Sequence, residues 1–201
     1  MEQSLLTSSQ AIQQPRLGAG FGLRAVAQII DLIIHNVLGI TVGLIVGVLV
    51  GIYAGITGTP LSTLTTKLEG VTPIGLILAG LGYVLYHAIC EGVHGATLGK
   101  LICKLHVIRE SGEPASLGSA FIRSLAFFID GLFFGIVAAV SMRSSQLKQR
   151  LGDKWAKTVV VERISLNQFQ RPSGWRFVIA FIIALMVDGL MTILSMVLRL
   201  L

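Results

Sequence analysis

Four residues of the first apolar stretch carry side chains able to bind or move a proton or an ion: Arg24, Gln28, Asp31 and His35. Their spacings of 4, 3 and 4 put them on one face of a helix. Ionisable groups inside a membrane are costly, and they face protein or water rather than lipid. One reading makes Asp31 and His35 the titrating groups of a proton or ion site. The other makes the face structural, with Arg24 reaching toward headgroups and pairing with a carboxylate. The pattern recurs later in the chain. LRAVAQIID (23–31) and IRSLAFFID (122–130) both read apolar-Arg-x-x-Ala-x-x-Ile-Asp, so Arg123 and Asp130 repeat Arg24 and Asp31. The chain thus reads as two related halves. Many transporters place their site between such repeats, although non-transporting proteins have them too. The expected polar centre is Arg24, Asp31, Arg123 and Asp130, paired crosswise, Arg of one half with Asp of the other. An Asp buried without its Arg would take up a proton instead.

Other constellations promise less. His87, Cys90, Glu91 and His94 stand at i, i+3, i+4 and i+7 and could share a metal-binding face. Bundle metal sites use two Glu-x-x-His units, and here there is one, followed by glycines that suggest the helix is ending. A polar helix end at the interface is the preferred reading, and no metal is expected. GATLGK (95–100) resembles a phosphate loop but lacks its first Gly and its Ser or Thr after the lysine. No Ser/His/Asp or Cys/His set argues for nucleophilic catalysis. No enzyme and no cofactor are therefore expected. Cys90 and Cys103 match no zinc or redox spacing and read as free thiols.

The elements that must position these groups are membrane helices. Of 201 residues, 53% are hydrophobic and only 13% charged, against about 25% charged in soluble domains. The net charge of +6 sits beside the apolar runs rather than on an aromatic-rich soluble surface. That placement fits cytoplasmic loops and anionic headgroups, not nucleic acid. Residues 1–20 read as a polar, disordered tail without the apolar core of a secretory signal. Hydrophobic segments follow at about 25–57, 73–90, 119–141 and 176–198. The first carries Gly39, Gly43, Gly47, Gly51 and Gly55, one glycine every fourth residue. Such a stripe permits close helix contact in lipid, with another span or with a second copy of the chain. Residues 58–72 read as a polar loop. LHVI (105–108) and TVVVER (158–163) are strand candidates that could pair.

Topology poses a conflict. The basic loops 91–118 and 142–175 both belong on the cytoplasmic side, yet four plain spans would separate them. If the third segment turns back at Asp130-Gly131 as a re-entrant hairpin, the conflict disappears, provided its irregular backbone is buried in protein. The expected fold is an all-α bundle of three to four hydrophobic segments with a small cytoplasmic two-stranded element.

LRAVAQIID (23–31), EGVHGATLGKLICKLHVIRESGEPASL (91–117), FIRSLAFFID (121–130) and QRLGDKWAKTVVVER (149–163), taken in order, resemble the RDD family of bacterial membrane proteins. The resemblance gives a membrane domain over 21–163 and a C-terminal extension over 164–201 with an added helix. It implies that Arg24 is the family's arginine and Asp31 its first aspartate. The second aspartate falls on Asp130 or Asp153. It further implies a role not biochemically assigned, with transport of unidentified ligands or cation/proton exchange proposed for some members. Lys157 stands where the family usually has a small residue. The expected setting is the cell membrane, a bacterial inner membrane. The expected partners are the lipid bilayer, a second copy of the chain, and a small cation or proton. The alternative is a scaffold or assembly factor whose Arg–Asp pairs only fix helix packing.

Overall fold

The computed structural model describes residues 18–68, 70, 72–166 and 172–200. The expected disordered tail lies outside these except for its last three residues. Those three are held: Ala19 N–H donates to Val160 O at 2.7 Å, and Ala19 is buried.

Helix α1 (Phe21–Thr57) is 37 residues long, roughly 55 Å against a hydrocarbon core of about 30 Å. Gly58 ends it with φ +71°, the left-handed turn a glycine adopts freely. The expected polar loop then holds a short helix, α2 (Leu61–Leu68). Its Leu64 joins Val46, Val50 and Tyr53 of α1 around one apolar groove. Helix α3 (Pro73–His94) starts with Thr72 accepting the Gly75 N–H at 3.1 Å and Pro73 in the first turn.

A compact unit follows: short helix α4 (Leu98–Ile102), strand β1 (Leu105–Arg109), helices α5 (Leu117–Asp130) and α6 (Leu132–Arg143), short helix α7 (Leu151–Trp155) and strand β2 (Thr158–Glu162). A Ser116–Ser119 capping box starts α5. Helix α8 (Gly174–Leu200) completes the chain and packs along α3.

The two strand candidates pair antiparallel, Leu105 opposite Glu162 through Arg109 opposite Thr158. Arg163 leaves the strand for a 3-10 turn. A two-stranded sheet is marginal alone. This one is buried on both faces: Leu105, Val107 and Val160 pack with Ala19, Ala27 and Ala115, while Ile108, Val159 and Val161 pack with Leu166.

Pairing also fixes the topology of the third apolar segment. Helix α5 begins against α3, where Leu117 lies on Gly92, and reaches Gly80 with Phe128. The chain then bends by 112° into Gly135–Arg143. Since β1 precedes this segment and β2 follows it, the segment enters and leaves the bundle on one side. Among the described residues three single helices are long and apolar enough to cross a membrane: α1, α3 and α8. Their outward residues are exposed apolar side chains such as Leu44, Val48 and Ile56 of α1 and Ile182 and Met186 of α8, as a lipid-facing surface requires.

Candidate functional site

The chain duplicates a unit larger than the nine residues visible in sequence. In the first half, Asp31 on α1 accepts the Gly99 N–H at 2.8 Å, at the start of α4. In the second, Asp130 on α5 accepts the Leu151 and Gly152 N–H groups at 3.1 and 3.2 Å, at the start of α7. Each carboxylate thus takes up amides that a helix start leaves free. Each short helix also approaches its long helix through a glycine. A Cβ on Gly99 would collide with the Ala27 carbonyl, and one on Gly152 with Ala126 and the Arg123 carbonyl. Ala27 and Ala126 are the shared alanines of the repeated motif. After each short helix a lysine turns the chain into its strand, Lys104 at φ +55° and Lys157 at φ +51°. The turn at Lys157 therefore forms with a lysine in the left-handed region.

Asp153 lies at the join. Arg24 donates to its Oδ2, and Arg123 Nη1 stands 2.6 Å from its Oδ1. Both repeated arginines therefore meet one carboxylate, and it is neither Asp31 nor Asp130. The crosswise pairing expected from the sequence is replaced because those two aspartates are engaged by backbone amides. Arg24 also donates to Lys148 O at 3.0 Å, and Arg123 to Glu91 Oε2 at 3.0 Å and Thr158 Oγ1 at 2.8 Å. Glu91 in turn accepts from Lys100 Nζ at 2.5 Å. Arg150 Nε stands 3.6 Å from Asp130 and 3.7 Å from Asp153. Four cations (Arg24, Lys100, Arg123, Arg150) thus face three carboxylates (Glu91, Asp130, Asp153) in one network, and Asp31 stands beside it next to His87. Burial alone would raise the Asp153 carboxyl, but Arg123, Arg24 and Arg150 outweigh it and hold it at about 2.

Asp31 has further partners. It accepts from Thr97 Oγ1 at 2.6 Å and Tyr86 Oη at 3.1 Å, and His87 Nε2 lies 3.7 Å away. The other nitrogen of His87, Nδ1, faces Tyr83 O at 3.0 Å. Gln28 reaches both Tyr83 Oη and His87. A cavity of about 10 Å³ lies among Gln28, Tyr83, His87, Glu91, Ser124 and Arg150, about the space one water needs. His35 faces Asp188 of α8 at 2.8 Å. Each residue of the Arg24–Gln28–Asp31–His35 face is thus engaged, with His87 shared between Gln28 and Asp31.

Some residues emerge only from the fold. Glu91 and Lys100 bind each other across nine residues, and Lys100 occupies the place in TLGK that Asp153 occupies in RLGDK. Aligning those two segments would have revealed a second half to the repeat. His87 and Arg150 carry no comparable signal. The metal-spaced set separates: His87 turns to Asp31, Glu91 to Lys100 and Arg123, and His94 to Phe177 and His106. Among the described residues no group of three potential metal ligands converges, and both cysteines are free thiols. The glycine stripe of α1 is almost bare. A Cβ at Gly39, Gly47, Gly51 or Gly55 would meet no described atom within 4 Å, and one at Gly43 only Met196.

Three helices long and apolar enough to span, a further apolar segment bent by 112° and a buried charge network between repeated units define a multi-pass α-helical membrane protein. The chain belongs to the RDD family, whose model matches residues 18–157. An 88-residue stretch, 43% of the chain, is 31% identical to the proline-rich antigen homolog of Mycobacterium tuberculosis in two strains. The match covers 36% of that protein, so the chain spans about a third of its length. Over 147 residues, 71% of the chain and 96% of the relative, it is 29% identical to the uncharacterized protein YxaI of Bacillus subtilis. No solved structure matches the chain.

Proposed function

We propose that this is a small cell-membrane transport component that exchanges a proton against a small cation, with His87 and Asp31 as the proton-handling pair. The observation that carries this reading is the position of His87. It is a buried titratable ring 3.7 Å from a buried carboxylate, on the wall of a polar cavity between α1, α3 and α5. A neutral ring with its proton on Nδ1 donates to Tyr83 O and accepts from Gln28. A second proton on Nε2 turns that nitrogen into a donor toward Asp31 and obliges the Gln28 amide to turn. One proton thereby changes both the charge of the cavity and the link between α1 and α3. No catalytic role and no cofactor are part of this reading. The bare glycine stripe of α1 is read as the contact to a second copy of the chain.

The test is flux through purified protein in sealed vesicles loaded with a pH-sensitive dye. Addition of Na+ or K+ should dissipate an imposed proton gradient. H87Q should abolish that flux while the protein remains folded and monodisperse. If wild-type protein moves no cation or proton, the transport reading fails.

A second reading then stands, a scaffold or assembly factor. It is favoured by the pairing of Arg24, Lys100, Arg123 and Arg150 with buried carboxylates and by the use of Asp31 and Asp130 as helix caps. Under it, D31N and D130N lower expression and stability and alter no flux.

A further inference from the structure

Beyond the exchange reading, we infer that the groove between α1 and the re-entrant hairpin is a binding site for an anionic phospholipid drawn from the surrounding bilayer. The groove holds about 510 Å³, within the roughly 300–1,000 Å³ of ligand pockets. Its walls are apolar: Ala25, Ile29 and Leu32 of α1, with Phe127 of α5 and Met142 of α6 opposite. Its charged floor is Arg24, Asp130 and Arg150. Ile29 and Leu32 are about half exposed on the outer surface of α1, so the mouth opens where acyl chains lie.

Charge complementarity selects the occupant. Arg24 and Arg150 also face Asp153 behind the floor; through the whole ion-paired network Arg24, Lys100, Arg123 and Arg150 stand against Glu91, Asp130 and Asp153, which leaves one excess positive charge. Both Asp130 oxygens already accept backbone N–H groups. Arg150 meets its carboxylates only at 3.6 and 3.7 Å, and its buried Nε has no hydrogen-bond partner among the described residues. The Arg150 side chain is 12% exposed on the groove's lining, and guanidinium binds phosphate well. Apolar walls above a cationic floor match acyl chains attached to a phosphate. Residues 1–17 fit less well, being rich in Gln and Ser with Glu2 as their one acid.

The test uses the full-length protein in detergent, with lipid retention read by native mass spectrometry. Phosphatidylglycerol and phosphatidylcholine of identical chains are the probes, and inorganic phosphate is the competitor. Wild type should retain phosphatidylglycerol at least tenfold better than phosphatidylcholine. R150Q should bring the two to parity. A25F, which fills the wall without touching the charges, should cut phosphatidylglycerol retention at least tenfold at unchanged helicity. Equal retention of both lipids by wild type, or undiminished retention by A25F, overturns the proposal. Displacement of the lipid by equimolar phosphate would mean that the walls contribute nothing, and would overturn it too. So would a need to delete residues 2–17 before any lipid binds, since the tail would then be the occupant.

Discussion

Asp153 holds two buried arginines from different halves of the chain. Removing its charge leaves Arg24 and Arg123 without their shared counter-ion, although Glu91 still faces Arg123. Breaking a buried pair by removing one partner costs about 3–5 kcal/mol. D153N should therefore lower the unfolding temperature in detergent sharply, and a thermal melt equal to wild type would contradict the assignment. A second residue-scale effect concerns acid. His106 of β1 is buried, its Nδ1 has no hydrogen-bond partner among the described residues, and it faces His94, Arg163 and Glu91. Burial, then His94 and Arg163, depress it from 6.5 to about 4. A depressed folded value means the unfolded chain binds the proton more readily. Its stabilising contribution is thus complete above pH 6.5 and is lost as pH falls toward 4. The same logic applies to Asp153, but only between 3.8 and about 2. From pH 7.5 to 4.5 His106 and the buried His94 beside it therefore carry the slope rather than Asp153. H106L should flatten the fall in melting temperature across that interval, and an unchanged slope would count against it.

At the scale of elements, the short helices α4 and α7 dock through glycine rather than through large apolar contacts. A methyl group on Gly99 would run into the Ala27 carbonyl, backbone that cannot rotate away. Overpacking of this kind costs about 1–3 kcal/mol. G99A should destabilise the chain by that amount, whereas G51A, with no described atom within 4 Å of the added methyl, should leave the unfolding of the monomer unchanged. Chemical denaturation of the two variants side by side gives the comparison. The turn before β2 offers the opposite case. Lys157 sits at φ +51°, a conformation costing an L-residue about 1–2 kcal/mol that glycine avoids. K157G should be neutral to stabilising, and marked destabilisation would refute a purely conformational account.

For the whole molecule, the paired strands place loops 110–116 and 144–150 on one side and α2 on the other. With Cys90 and Cys103 replaced by Ala, single cysteines at the exposed positions Ser111 and Lys157 should react with an impermeant reagent from the same side of oriented vesicles. A cysteine at Ser62 should react only from the opposite side. Labelling of Ser111 and Lys157 from different sides would restore a fourth span and dismantle the sheet. The same arrangement gathers the basic loops on one side, as the charge bias asks of a hairpin.

The sequence alone determined the solvent of this protein. Long apolar runs with few charges leave no soluble alternative, and their lengths gave α1, α3 and α8 to within a few residues. The run of β-branched valines marked the second strand, LHVI stood as a short candidate for the first, and the repeated Arg and Asp marked the buried polar face. These features are local, carried by periodicity and by transfer free energy. Which charge meets which was decided by the tertiary structure. Asp31 and Asp130 are drawn to the amides of α4 and α7, two short helices with no legible periodicity. Asp153 therefore receives both arginines, and Glu91 receives Lys100 and Arg123. Partners of this kind lie 9 to 129 residues apart along the chain. Long-range electrostatics of that sort depends on docking geometry, which residue spacing does not encode.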